Sequence, residues 1–155
     1  MDTIGFSKHD HTVCIEDCVA TIEAHCAEAG LQFTPTRRRV LEILLDQHKA
    51  LGAYDILEVL RSEGLGSQPP VAYRALDFLV ANGFAHKIEH LNAFIACCRP
   101  GQTHTAAFLI CRMCKAVAEA PSTPARIALE GSAEAVGFSI EATVVEATGL
   151  CPNCA

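Results

Sequence analysis

The sequence lacks the features of membrane and secreted proteins. Half of its 155 residues are hydrophobic, but no apolar run approaches the ~18 residues that a membrane-spanning helix needs. The N-terminus, MDTIGFSKHDHTVC, has neither the basic start nor the apolar stretch of a secretory signal. We therefore expect a cytoplasmic protein that has no membrane partner. Its length corresponds to one ordinary domain or two small ones.

The sequence also lacks the signatures of an enzyme. It contains no paired nucleophile and base, no glycine-rich phosphate loop and no cofactor fingerprint. No internal repeat or low-complexity run appears either. We therefore expect a protein that is not an enzyme and has no small-molecule substrate.

Positive charge is scarce. Twelve lysines and arginines against eighteen acidic residues give a net charge of −6, which by itself disfavours nucleic-acid binding. The distribution changes this conclusion, because residues 31–90 carry seven basic and seven acidic residues and are neutral. The run Arg37–Arg39 is the only dense basic cluster. An acidic protein can still bind DNA if one face is locally basic.

Cysteine is unusually frequent, with nine residues in the chain. An odd number argues against a closed disulfide framework, and a reducing compartment disfavours one in any case. Metal binding is therefore the leading explanation for at least some of these cysteines.

The order of elements predicts a winged helix-turn-helix in the first hundred residues. Apolar residues recur at helical spacing in four segments, 15–29, 34–48, 52–64 and 69–83. Thr34 is a suitable N-cap for the second segment, and glycines end the other three. The period then changes to two on either side of residues 90–92, as in a β-hairpin. The fourth helix is the candidate for the major groove of DNA.

A second, smaller unit follows a linker at residues 99–104. Two short strands, AAFLIC and KAVAEA, precede a helix over 123–136 and a last strand over 139–149. Such a unit buries little by itself, and an exposed apolar face usually pairs with a copy of itself, so we expect a homodimer. The predicted fold is α+β. Its parts are a flexible tail (1–13), a winged-helix DNA-binding domain (14–97), a hinge (98–105) and a small α/β dimerisation domain (106–155).

Two C-x-x-C pairs lie at the two ends of the smaller unit, separated by 36 residues. Together, Cys111, Cys114, Cys151 and Cys154 supply four thiolates, which fill the closed tetrahedral shell of a structural zinc ion. The metal would staple a unit that has little core. The alternative is a redox dithiol, which requires a C-x-x-C at a helix N-terminus. Two pairs rather than one favour zinc.

Five segments carry a resemblance to a known family. They are TPTRR, AYDILEVLR, VAYRALDFLVANGFAHKIE, THTAAFLICRMCKAV and GLCPNC, and they occur in this order between Ile15 and Cys154. The chain resembles the ferric uptake regulator family, and within it most closely the zinc-responsive members. The resemblance implies a homodimeric, metal-responsive transcriptional repressor of zinc-uptake genes that binds double-stranded operator DNA.

The resemblance also implies a second zinc ion per monomer, at a regulatory site. The ligands of zinc-responsive relatives fall on His86, Cys97, His104 and Glu119. Two imidazoles, a thiolate and a carboxylate suit four-coordinate zinc. The residues alone leave simpler interpretations open, since a histidine on a wing is often a surface residue and Cys97 could be a small buried hydrophobe. A sensor of another metal or of peroxide is the alternative function, although the thiolate speaks against iron.

DNA contacts are predicted on the second, third and fourth helices. Arg74 can read guanine from the fourth helix. The resemblance implies base-region contacts for Arg74 and Tyr54, a backbone contact for Tyr73 and a phosphate contact for Arg37. The alternatives are that the tyrosines pack between helices and that an arginine lies on a solvated face. Val71 departs from the family, which usually has serine or threonine there.

Overall fold

The computed structural model describes residues 11–46, 49–66, 68–97 and 106–155. The chain forms two compact units. The described residues up to 97 belong to an N-terminal unit, and those from 106 onward belong to a C-terminal unit. Among the described residues, no helix is both long enough and apolar enough to cross a membrane.

The N-terminal unit has the predicted order of four helices followed by a hairpin. Its elements are α1 (His11–Ala29), α2 (Pro35–Asp46), α3 (Ala53–Ser62), α4 (Pro69–Ala81), β1 (Ala85–Ile88) and β2 (Ala93–Ala96). Helix α1 already begins at His11, within the stretch that the sequence analysis assigned to a tail. This order of elements is that of a winged helix-turn-helix, with α3 and α4 as its two helices and the hairpin as its wing.

Helix ends follow the sequence signals. The Thr34 Oγ1 atom accepts a hydrogen bond of 3.3 Å from the backbone N–H of Arg37, as expected of an N-cap. The residues that follow four of the helices adopt positive φ angles, which glycine does without steric cost. They are Gly30, Gly64, Gly83 and Gly137, with φ between +69° and +76°.

The core of the N-terminal unit is formed by the apolar faces of α1 to α4 and by Phe84. Its largest fully buried side chains include Ile22, Leu41, Leu44, Ile56, Leu60, Leu76, Leu79 and Phe84. Val80, by contrast, is 38% exposed. It directly follows Leu79 in the helix and therefore points to a neighbouring face.

The wing is a short antiparallel pair that is fixed to the helices. Ala85 pairs with Ala96 and Ile88 pairs with Ala93, and a 3-10 turn over Glu89–Leu91 connects the strands. Leu51, in the connection between α2 and α3, exchanges two backbone hydrogen bonds of 2.8 and 2.9 Å with Phe94. Leu51 thereby pairs with the wing as a third strand that is one residue long.

The C-terminal unit is a three-stranded sheet with one helix. Its elements are β3 (Ala106–Cys111), β4 (Val117–Pro121), α5 (Thr123–Ala135) and β5 (Val145–Gly149), and the strand order is β4-β3-β5. Strand β4 is antiparallel to β3, whereas β5 is parallel to it. The predicted last strand over 139–149 was too long. The parallel pairing with β3 begins only at Val145, opposite Ala107.

We expect Thr34→Ala to lower the free energy of unfolding of the N-terminal unit by about 1 kcal/mol, because the side chain satisfies an otherwise free helical N–H group. Urea unfolding followed by far-UV circular dichroism measures this change, since four of the five described helices lie in that unit. Thr34→Ser keeps the capping oxygen and is the matched control. Equal stability of the alanine and serine variants would contradict the capping role.

Candidate metal centres and nucleic-acid interface

The parallel pairing of β3 and β5 brings the two C-x-x-C pairs together. Cys111 is the last residue of β3 and lies opposite Gly149, the last residue of β5. Because parallel strands end at the same edge of a sheet, the turns after them meet. The first turn carries Cys114, and the second carries Cys151 and Cys154.

The four cysteine sulfurs form a compact group. All lie within 4.8 Å of one another, and the Sγ atoms of Cys114 and Cys151 are 3.8 Å apart. Four sulfurs at about 2.3 Å from a tetrahedral zinc ion have edges of about 3.8 Å. The donor set and its spacing therefore fit zinc.

Backbone hydrogen bonds shape both cysteine turns. Lys115 adopts a left-handed φ of +62° and donates its N–H to the carbonyl of Cys111 over 3.0 Å. The N–H groups of Cys154 and Ala155 both donate to the carbonyl of Cys151, each over 3.0 Å. A further bond of 2.9 Å, from the N–H of Arg112 to the carbonyl of Gly149, joins the two turns. The sulfurs are thus positioned by the main chain.

The environment of the sulfurs lowers the pKa of one cysteine thiol and raises the pKa of another. Hydrogen bonds from the backbone N–H groups of Cys114 and Cys151 lower the pKa of the Cys111 thiol to about 6, and the second of these bonds spans 3.4 Å. Hydrogen bonding to the Cys151 sulfur, followed by burial, raises the pKa of Cys154 to about 12. Four sulfurs cannot all be ionised at this distance unless a cation compensates their charge.

The redox interpretation does not fit this arrangement. Cys111 is the last residue of a strand, Cys114 lies in the turn after it, and Cys151 and Cys154 lie in the second turn. Neither pair is at a helix N-terminus, where the dipole would activate a dithiol. The two pairs instead form one group of four.

The wing supplies two further candidate ligands within the N-terminal unit. A ring nitrogen of His86, on β1, and the sulfur of Cys97, directly after β2, lie within 4.8 Å of each other. Cys97 is only 2% exposed, and its N–H donates to the carbonyl of Phe84 over 2.8 Å. The Nε2 atom of His86 is buried. A nitrogen and a sulfur at this spacing can share one metal ion, but they fill only half of a tetrahedral shell.

The other two predicted ligands lie apart from the wing in the chain. Glu119 is half-buried on β4 of the C-terminal unit, opposite Phe108 of β3. His104 lies outside the residues that the structure describes, as does Cys98. The four-ligand regulatory site therefore stays a prediction.

The predicted DNA-contacting side chains on α3 and α4 are available to a ligand. Tyr54, at the start of α3, is 72% exposed, and Tyr73 on α4 is 43% exposed. This exposure disfavours the alternative in which the tyrosines pack between helices. Arg74 is exposed and forms no ion pair with any residue in the described ranges.

Two arginines of the basic cluster are neutralised by neighbouring carboxylates. Arg38 pairs with Glu23 at 3.4 Å and with Glu42 at 3.2 Å. The Nε atom of Arg39 donates to both carboxylate oxygens of Glu63, over 2.8 and 3.0 Å, and its Nη1 atom lies 3.1 Å from Glu42. Glu42 was a recognisable partner, because it lies one helical turn after both arginines. Glu23 and Glu63 come from α1 and the end of α3, and no local spacing indicates them.

Arg37 has a structural role that the sequence analysis missed. Its guanidinium carbon lies 3.8 Å from the centre of the Phe78 ring on α4, which is a cation–π contact. It also donates to the carbonyl of Gln32. Arg37 thus joins α2 to α4. Its phosphate contact stays a prediction, since a guanidinium has five N–H donors and these contacts use few of them.

The remaining described cysteines do not join either group. Cys14 is half-buried and Cys26 is buried, both as free thiols in α1, and Cys18 is buried in the same helix. The segment HDHTVC also offers His9, His11 and Cys14 as an auxiliary metal site, but the side chains of both histidines lie outside the described part of the chain.

Comparisons with known proteins identify relatives of the whole chain. No family model matches it. The zinc uptake regulation proteins of Escherichia coli (strain K12) and Shigella flexneri are each 39% identical to it over 140 residues, which is 90% of this chain and 82% of theirs. A solved structure of a zinc uptake regulator complexed with zinc and DNA has a TM-score of 0.85 and 38% identity, covering 90% of this chain and 93% of that one. Holo XcZur has a TM-score of 0.79 and 42% identity, covering 87% and 94%.

A winged helix joined to a small unit with a four-cysteine group defines the class of metal-binding transcription regulators of the ferric uptake regulator type. Solved ferric uptake regulators, such as that of Helicobacter pylori with a TM-score of 0.54 and 15% identity, share this fold. Within that class, the chain belongs to the zinc uptake regulator family.

We expect metal affinity at the four-cysteine group to rise with pH. Cys154 holds its proton at neutral pH in the metal-free protein and must release it, so affinity should rise at least tenfold per pH unit between pH 6 and 8. The dependence should steepen below pH 6, where Cys111 also becomes protonated. Competition with a zinc chelator across this range measures the slope.

The variants Cys154→Ser and Cys14→Ser provide the comparison for that measurement. The first removes a member of the group and should abolish this binding, whereas the second removes a half-buried thiol outside it and should leave the slope unchanged. A pH-independent affinity would contradict the assignment of four thiolate ligands.

Proposed function

We propose that the chain is a zinc-responsive transcriptional repressor of zinc-uptake genes. The observation that carries the proposal is the relationship, at 38% identity over 90% of this chain, to a zinc uptake regulator solved with zinc and DNA. A DNA-bound regulator acts where the genes are, so we assign it to the cytoplasm. Its action is binding rather than catalysis.

The exposed side chains of α3 and α4 support a DNA-binding role. Arg74 projects from the second helix of the helix-turn-helix, the one that enters the major groove in this type of domain. Its guanidinium is not used in an ion pair with the described residues, and it can form a bidentate contact to guanine. Tyr54 and Tyr73 are the accompanying contacts, and Arg37 reaches a phosphate from α2.

One zinc ion per monomer has a structural role at Cys111, Cys114, Cys151 and Cys154. The C-terminal unit has few fully buried side chains, and α5 has none. Metal binding to a group that connects both ends of such a unit contributes directly to its folding free energy. The spacing of the sulfurs supports this role.

A second zinc ion per monomer has a regulatory role at His86, Cys97, His104 and Glu119. The proximity of His86 and Cys97 on the wing supports half of this set. An ion held by all four ligands connects the DNA-binding unit to the C-terminal unit. The mixed donor set with one thiolate suits zinc, and cobalt accepts similar shells.

Geometry rather than charge carries the switch. The metal-free site, with a neutral thiol and an ionised glutamate, has a charge of about −1, and the zinc-bound site is close to neutral. One unit of charge corresponds to about one phosphate contact, which is too little for an on–off response. Zinc therefore acts by populating an arrangement of the two units in which both recognition helices of a dimer reach DNA.

The dimer is formed by the C-terminal unit. Its helix and the following loop line an open groove of about 420 Å³ with the exposed side chains of Leu129, Val136, Phe138 and Val144. Ile127, on the same helix, is also exposed. An apolar surface of this kind on a small unit is covered in a self-complementary dimer. Operator DNA and a second copy of the chain are the two partners.

The alternative functions lack a specific observation in their favour. A thiol-redox protein is disfavoured by the convergence of both C-x-x-C pairs. A sensor of peroxide or of another metal shares the fold, but the relatives that match most of the chain are named for zinc. Metal titrations distinguish a sensor of another metal from a zinc sensor.

We expect operator affinity to rise steeply with free zinc, and Cys97→Ser to remove this response because a hydroxyl is a poor ligand for zinc. Binding to a promoter fragment of a zinc-uptake gene, at one salt concentration and across buffered free zinc, measures the effect. Cys26→Ser, at a buried cysteine outside both groups, is the control. Tight binding without zinc would show that another signal operates the switch.

We expect Arg74→Ala to weaken operator binding by about 1–3 kcal/mol and to reduce the preference for operator over unrelated DNA. Arg37→Ala should weaken binding to both sequences alike, because a phosphate contact carries no sequence information. It should also lower the melting temperature, since it removes the contact with Phe78. Equal preference in Arg74→Ala and the parent protein would remove Arg74 from base recognition.

A further inference from the structure

The start of the recognition helix is held against the preceding turn by one steric contact. Val71 is the third residue of α4 and is half-buried. A Cβ atom added to Gly66 would lie 2.9 Å from one γ-methyl carbon of Val71 and 3.4 Å from its Cβ atom. The Val71 side chain therefore lies directly over the α-carbon of Gly66, and that contact leaves no room for a side chain at position 66.

The N-cap residue of α4 does not cap the helix with its side chain. Gln68 occupies the N-cap position with an extended backbone, and its side chain makes no capping hydrogen bond. The N–H of Val71 donates to the carbonyl of Gln68 over 3.1 Å. Since Val71 has no hydroxyl group, it can neither cap the helix nor bind a phosphate, and packing is what its side chain contributes.

The contact between Val71 and Gly66 is rigid from both sides. In a helix, valine occupies one χ1 rotamer in about 90% of cases, so its methyl groups cannot turn away easily. The Cβ atom of Val71 moves only with the backbone of α4, and it too is close to Gly66. A side chain added at Gly66 must therefore shift the first turn of α4 relative to the connection that follows α3, and Val71→Ala removes the contact that sets this distance.

Arg74 lies three residues after Val71, on an adjacent part of the same first turns of α4. A shift or rotation of the helix start therefore moves the guanidinium that reads DNA. We propose that Val71 is a positioning residue whose contact with Gly66 fixes the orientation of the recognition helix. The inference rests on the proposed DNA-binding function and assigns to Val71 a role in specific recognition.

The test is a double-mutant cycle on the full-length, zinc-loaded protein. Its members are the parent, Gly66→Ala, Val71→Ala and the double variant. The probe is a DNA duplex selected by the parent protein from a randomised pool, and an unrelated duplex of equal length serves for comparison. Zinc content, dimer mass and thermal unfolding are measured for each protein, so that a loss of fold is recognised.

We expect Gly66→Ala to weaken binding to the selected duplex about tenfold, or about 1.4 kcal/mol, and to leave binding to the unrelated duplex unchanged. Val71→Ala should weaken specific binding a few-fold. The double variant should bind as well as Val71→Ala alone, because removing the methyl groups makes room for the new one. Val71→Thr keeps the branched shape and should retain the parent's affinity.

Two variants control for the substitutions themselves. Val80→Ala removes the same atoms from an exposed position near the other end of α4. Gly131→Ala adds a methyl group in α5 that meets no described atom within 4 Å apart from its own stretch of helix. Neither should change the ratio of specific to unrelated binding.

The outcomes separate this inference from the proposed function. If the parent protein selects no duplex at any zinc concentration, the proposed function fails and this inference fails with it. If the parent binds but Gly66→Ala keeps full affinity, or the double variant is as weak as the two losses combined, the positioning role alone is overturned. Equal losses on both duplexes would also overturn it.

Discussion

The convergence of four cysteine sulfurs is the constraint on which the C-terminal unit depends. Strands β3 and β5 are only six and five residues long, and the helix of this unit has no buried side chain. A sheet of this size has too little apolar area to offset the entropy of ordering its chain. The parallel pairing of β5 with β3 brings the two cysteine pairs to one edge, and a metal ion bound by the four sulfurs would hold that pairing together.

The N-terminal unit depends on ordinary packing instead. Four helices share a continuous core in which residues such as Leu41, Ile56 and Leu76 are fully buried, and Leu51 fixes the wing to this core by two backbone hydrogen bonds with Phe94. This core gives the unit its shape without a metal ion. The two candidate ligands on the wing fill only half of a tetrahedral metal shell. This division explains why one zinc ion is assigned a structural role and the other a regulatory role. The proposed structural ion would stabilise a unit with few fully buried side chains, and the proposed regulatory ion would act on a unit that is already folded.

Charge has a smaller part in DNA recognition than the sequence suggests. The only dense basic cluster, Arg37–Arg39, is largely used within the protein, because Arg38 and Arg39 pair with glutamates and Arg37 stacks on Phe78. Exposed pairs of this kind contribute at most about 1 kcal/mol each, but they do reduce the positive potential that this face offers to phosphates. In a protein with a net charge of −6, recognition must then rely on accurate placement of a few side chains. Under the proposed function, Arg74 and the orientation of α4 consequently matter more than the total charge.

The sequence by itself determined the order of the elements, the helix ends and the four-cysteine group. These features depend on local rules: helical periodicity, the capping of α2 by Thr34, the positive φ of the terminating glycines, and the fixed spacing of two metal-binding pairs. It overestimated the last strand, because the pairing partner of a strand depends on distant residues. Only the tertiary structure decided the contact of Arg37 with Phe78, the pairing of Arg39 with Glu63 and the contact of Val71 with Gly66. Those contacts join different elements, and no local pattern encodes which side chains meet when helices pack.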